Sequence, residues 1–285
     1  IGDRGEIQAG LIVEGLIETD GGQITLSSAA KTNNSVIRAL NAGQIQVNGL
    51  SIANAGGTLD IDGTSTLHLL NGTSIAGGMV EGGGAITQTG SITLDGTAAP
   101  VTLDVSSLTI DTGETLTLKG DVESNANIVL DDASSNASNA SVLRLDASSP
   151  TGTGTIRFSS PFENRVTSVN GPVHLTPLQR IVTDALGDRG EIQADLIIDG
   201  LVQTEGGRIT LSNAAKTNHA TIRALDAGQI DVNGIQVNNE NGVIDVSADS
   251  NLTLLNASRI VGGTLQGGGT VFQTGSQQRS GRQFR

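Results

Sequence analysis

Cysteine, tryptophan and tyrosine are missing from this 285-residue chain, and methionine occurs once. Without cysteine, neither disulfides nor thiolate metal sites contribute, so oxidising and reducing compartments suit it equally. Four phenylalanines are the whole aromatic complement. Compact enzymes of this size rest on many more aromatic anchors, and sugar-binding clefts are commonly lined by them. Positive charge is also short, 16 Lys and Arg against 29 Asp and Glu for a net charge of −13. That balance opposes binding to phosphate backbones by counterion release, so nucleic acid is not an expected partner. No apolar run approaches the roughly 18 residues of a membrane span. No charged-then-apolar signal segment opens the chain, and its start at Ile1 suggests a processed or excised segment.

What remains is 39 glycines among Thr, Ser, Asn and Asp, with Ile, Leu, Val and Ala scattered singly or in pairs. Disorder can share such a composition, but here β-branched and polar residues alternate. Gln23-Ile24-Thr25-Leu26, Gln44-Ile45-Gln46-Val47, Thr58-Leu59-Asp60-Ile61, Ser91-Ile92-Thr93-Leu94 and Thr115-Leu116-Thr117-Leu118 each place two aliphatic side chains on one strand face. Corners follow within a few residues, at Gly21-Gly22, Asn48-Gly49, Asp62-Gly63, Asn71-Gly72, Asp95-Gly96 and Asn233-Gly234, where left-handed backbone is inexpensive. Asn-Gly and Asp-Gly also signal hairpins, which keeps an antiparallel sandwich or barrel in view. Short strands, missing aromatic core residues and abundant small residues favour an all-β, elongated, right-handed parallel β-helix (a β-solenoid) with irregular coils of about 20 residues. It should contain roughly 12 to 16 coils in a rod on the order of 60–75 Å long.

Residues 1–91 return at 186–276 without insertion or deletion, with 53 of 91 positions identical. This predicts a first module over 1–185, made of the repeated unit 1–91, acidic unrepeated coils 92–149 and a proline-containing junction 150–185. A second, partial module spans 186–276, and a basic tail spans 277–285. Corresponding positions of the two copies should occupy equivalent environments. Thr176-Pro177 before LQRIVTDALG admits a proline-initiated helix or a strand; Ile181, Val182 and Thr183 favour the strand.

With GGQITL at 21–26, IRALNAGQIQVNG at 37–49 and STLHLLNGTSIAGGMVEGGGAITQTG at 65–90, the chain resembles the repeat regions of large secreted bacterial proteins of the filamentous-haemagglutinin and giant-adhesin kind. The resemblance covers essentially the whole chain. It implies a right-handed parallel β-helix exported from a Gram-negative bacterium, serving as an adhesion shaft or the body of a surface fibre.

Catalysis by a β-helix would need paired carboxylates, or a carboxylate with Arg or Lys, on one exposed face. Asp131 and Asp132 are adjacent and point to opposite faces; Asp60 and Asp62 share a face, but their counterparts are Asp245 and Ser247. A solvated strand face accounts for them. His68, His174 and His219 occupy unrelated contexts and read as exposed strand positions. Neither the calcium-binding nonapeptide nor a complete EF loop is present, and no metal, cofactor or catalytic residue is expected. Sequons at Asn33, Asn71, Asn136, Asn139, Asn251 and Asn256 are expected by chance in so Asn-rich a chain. Lysine is scarce, and Lys31 and Lys216 share Ala-Ala-Lys-Thr-Asn, which reads as a structural corner ahead of a bridge between neighbouring shafts.

The expected structural turns are Gly21, Gly22, Gly82, Gly83 and Gly84, with Gly206, Gly207, Gly267, Gly268 and Gly269 as their repeats. The expected function is a β-solenoid shaft of a bacterial extracellular fibre or adhesin, whose partners are copies of itself head to tail, with a cell-surface or polysaccharide target as a further partner. The competing expectation is a carbohydrate-binding or carbohydrate-cleaving β-helix. For assembly, Arg279, Arg282 and Arg285 are expected to lie against an acidic face of the next subunit.

Overall fold

The computed structural model describes residues 2–134, 139–183 and 185–274. Among them there is no helix; about 61% are strand, in parallel sheets stacked as a β-solenoid of about 13 turns with roughly 21-residue coils. Each coil has three sides. The first is a thirteen-stranded sheet running from Arg4–Ile7 to Thr264–Gln266. The second and third sides share a seventeen-stranded sheet, because the long strands Ser91–Asp104 and Thr115–Ser124 bend across the corner between them. After these the third side is reduced to a single bridge, Glu123 with Thr151. It resumes as a five-stranded sheet from Val173–Leu175 to Arg259–Val261.

Alternation within each strand decides what is buried. Ile45, Leu67, Ile86, Leu108, Ile128, Ile156, Ile181, Val202, Ile222 and Ile244 stand in register on the first side. All of them belong to one continuous core. A buried side chain of this kind contributes on the order of 2 kcal/mol, and none has a partner close in sequence. The interior is therefore filled by rows of branched aliphatics rather than by small residues. The interior is nearly free of aromatics: among the described residues Phe158 is the one aromatic that is fully buried.

The stretch expected as a helix or strand is the strand Arg180–Thr183. It belongs to the least regular part of the rod, where Asn127 pairs with Thr155 and Thr155 with Arg180, the two longest steps on the first side. Elsewhere on this side the steps are shorter, as from Arg4 to Gln23 or from Gln44 to Thr66.

The duplication has a geometric consequence. The strands Arg4–Ile7, Leu11–Val13 and Leu16–Asp20 lie on the first, second and third sides; their repeats Arg189–Ile192, Leu196–Ile198 and Leu201–Glu205 lie on the second, third and first. The shift of one side holds through the last repeated strands, Ala85–Thr89 on the first and Thr270–Thr274 on the second. The offset between the copies thus amounts to eight coils and one side, so they differ by a third of a turn about the axis. Corresponding turns nevertheless share a backbone conformation, with φ of 102° at Gly82 and 101° at Gly267, while burial differs where one copy lies at an end of the described coils: Ala85–Thr89 is half buried and Thr270–Thr274 exposed.

Candidate functional site

The corner between Gln23–Leu26 and Lys31–Asn33, repeated between Arg208–Ser212 and Lys216–Asn218, is built by buried polar side chains. Lys31 and Lys216 are each 1% exposed. Lys31 Nζ donates to Ser27 O at 2.8 Å and to Ala29 O; Lys216 Nζ donates to Ser212 O at 2.9 Å and to Ala214 O at 2.5 Å. The ammonium thus gives these buried corner carbonyls a donor, and Ser27 O and Ser212 O accept in addition from the N–H of Ala29 and Ala214. Burial holds both lysines below the usual lysine range, Lys216 to about 8 despite the opposing pull of Asp195 and Glu191. The corner role expected for these residues is the one the geometry supports, since neither ammonium reaches the surface.

Next to each lysine stands an asparagine ladder, which no strand or turn pattern in the sequence singles out. Asn33 Nδ2 donates to Asn54 Oδ1 at 2.8 Å, and Asn218 Nδ2 to Asn239 Oδ1 at 2.7 Å. Asn54 continues to the carbonyls of Gly77 and Met79, and Asn239 to those of Gly262 and Thr264. All four are fully buried, so the sequon at Asn33 has no accessible amide. A signal was available: the ladder members are separated by one coil in both copies.

The histidines require a correction. His174 Nδ1 lies 3.2 Å from Asp199 Oδ2 and His219 Nδ1 2.9 Å from Asp199 Oδ1. Three successive coils place these residues one above another at a corner of the third side. Hydrogen bonds from His219 and His174 lower the Asp199 pKa. His68 stands apart, against Thr87 Oγ1 at 2.8 Å. Among the described residues no group of three or more His, Cys, Asp or Glu is arranged to hold a metal ion.

The carboxylates are spread as expected. Asp62 accepts from the backbone N–H of Asn41 and Thr64 and so serves its corner. Asp132 is buried, while Asp131 stacks on Asp111 of the preceding coil. Burial and that neighbouring carboxylate raise the Asp131 pKa.

A cleft of about 380 Å³ lies on the second side, where the 159–163 loop meets the strands Asn164–Val169, Arg189–Ile192 and Arg208–Ser212. Phe162, Glu163, Arg189, Glu191, Arg208 and Thr210 line it. Arg165 bridges Glu163 and Glu191, and Arg208 pairs with the fully buried Asp231, which also accepts from Gln229 Nε2 at 2.8 Å. Charges are largely matched within the cleft, which leaves hydrogen-bonding groups and one aromatic face for a polar ligand.

The ten expected turn glycines occupy corners, where Gly21, Gly82, Gly206 and Gly267 have positive φ. At Gly84 and Gly269 a Cβ would approach the carbonyls of Ser65 and Ser250 to 2.7 Å. Arg279, Arg282 and Arg285, with the tail 277–285, lie outside the described residues. Among the described residues no helix is long and apolar enough to cross a membrane. Compared with protein-family models, curated proteins and solved structures, the chain matches none.

Proposed function

We propose that the chain is a structural shaft: a stiff β-solenoid segment of a bacterial extracellular fibre or adhesin, non-catalytic, acting at the cell surface and extended by copies of its own module stacked head to tail. The observation that supports this reading is the unbroken axial stacking. Core rows pass through successive coils from Val13 to Leu252, and each coil is bonded to the next along its sides, so bending must open several ladders at once. Length and stiffness come from the same contacts. Open sheet ends are natural joints for further strands. Negative-stain electron microscopy over a range of concentrations is the test. Straight rods of about 60 Å, single or joined end to end, support the shaft; globules, or collapsed and bent particles, overturn it.

The carbohydrate-binding reading has one observation in its favour, the cleft beneath Phe162. Its test is titration with neutral and acidic oligosaccharides followed by NMR. Shifts confined to residues around Arg189 and Thr210, and lost in Phe162→Ala, would move the function to this cleft.

A further inference from the structure

The repeat shows two related segments, identical at 11 of 17 positions, in two situations. Residues 4–20 form the first described coil, covered only from the side of the second. Their repeats, residues 189–205, form an inner coil resting on residues 155–183. Where the coil is covered, Ile192, Leu196 and Val202 are buried. Their counterparts Ile7, Leu11 and Ile17 are only partly buried, while Ile12 and Leu16 are 63% and 55% exposed.

Two glycines make the comparison sharper. Gly190 stands in an inward-facing row, and a Cβ there would overlap the ring of Phe158 from the coil beneath. Gly200 turns a corner against the carbonyls of Thr176 and Gln179, again from the coil beneath, and a Cβ would overlap both. Neither glycine has a positive φ, so space alone requires it. Gly5 and Gly15 repeat these glycines, and nothing lies within 4 Å of the Cβ that either could carry. Gly5 is also in register with Ile24, so it leaves a hole at the end of the aliphatic row on the first side.

We propose that the face formed by Arg4–Asp20 is a docking surface for another module of this repeat, presented through a coil of the 155–183 type. In that joint an aromatic side chain in the place of Phe158 fills the hole over Gly5, and backbone carbonyls back Gly15. The joint repeats the internal contact between residues 155–183 and 189–205, turned by a third of a revolution. The described C-terminal coil is not this occupant. It repeats residues 79–89, which are themselves covered by Val101–Thr109. Such a joint needs only the repeat itself, whatever the shaft serves.

The test is a chain extended by a second copy of residues 141–185 placed directly before Ile1, compared with the unextended chain. In the extended chain, amide exchange at Ile7, Leu11 and Ile17 should slow by about tenfold or more. Gly5→Leu should leave the unextended chain unchanged and abolish the new protection in the extended one. Changing the added copy of Phe158 to Ala should restore part of it. Unchanged exchange in the extended chain, or Gly5→Leu tolerated equally in both, would overturn the proposal. So would concentration-dependent assembly of the unextended chain that Gly5→Leu blocks, since that would give the face to the C-terminal end of a second copy.

Discussion

Phe158 and Gly190 are two halves of one contact, a ring from one coil lying where the next coil has no side chain. Truncating Phe158 to alanine should cost roughly 3–5 kcal/mol, through lost burial and the cavity left behind. Gly190→Ala forces that ring to move and should also destabilise. Combined, the two changes should cost less than their sum, because the first makes room for the second; urea unfolding of the four proteins measures the coupling. The buried lysines make a different prediction. Because burial lowers the Lys216 pKa to about 8, the unfolded chain holds a proton that the folded chain has lost between pH 8 and about 10.4. Stability should therefore rise with pH across that window, by at most about 1.4 kcal/mol per pH unit. The chain has no tyrosine or cysteine, so little else titrates there. Lys216→Met should flatten the rise, and thermal unfolding at pH 7 and pH 10 would reveal it.

At the scale of the element, the corner is the unit that decides stability. Strands this short do not persist alone, and each corner must supply partners for backbone groups that the ladders leave unpaired. The asparagine ladders do this for two corners in identical fashion. Asn54→Ala and Asn239→Ala should each cost about 1–3 kcal/mol, because each removes an acceptor from the asparagine of the preceding coil and the donor to buried carbonyls, those of Gly77 and Met79 at one site and of Gly242, Gly262 and Thr264 at the other. The equivalence of the copies predicts similar costs at the two sites. Chemical denaturation of both variants checks this, and a loss at one site alone would mean that the corners are not equivalent. How legible these elements are follows from the same physics. Alternation such as Gln44-Ile45-Gln46-Val47 declares a strand and its inward face from local sequence. Asn33 and Asn54 are not neighbours in the chain; only a known coil length turns their separation into a contact.

For the whole molecule, the advance of eight coils and one side per module sets how any surface feature recurs. Copies of a corner lie about 40 Å apart along the axis, given about 4.8 Å per coil, and a third of a turn apart around it. Ala30 and Ala215 are exposed, equivalent corner positions, and the chain has no native cysteine. Spin labels on Ala30→Cys and Ala215→Cys should therefore report a separation of roughly 40–45 Å by pulsed electron resonance. A distance less than half as long would contradict the stacked rod. If further modules follow the same rule, three of them restore the original side, so a feature present once per module would trace a single helix of three modules per turn along a fibre.

The chain by itself determined that it is all strand and corner, which residues of each strand face inward, where the module repeats and that coils stack in parallel. These follow from a period of two and from glycine, asparagine and aspartate at corners, properties carried by neighbouring residues. The tertiary structure alone decided which side each strand occupies. That choice accumulates over coil steps of unequal length, and a few extra residues at one corner alter every later assignment. For this reason the meeting of His174 and His219 at Asp199, the burial of Asp231 beneath Arg208, and the third-of-a-turn offset between the two copies of the repeat could not be read from the residues that make them.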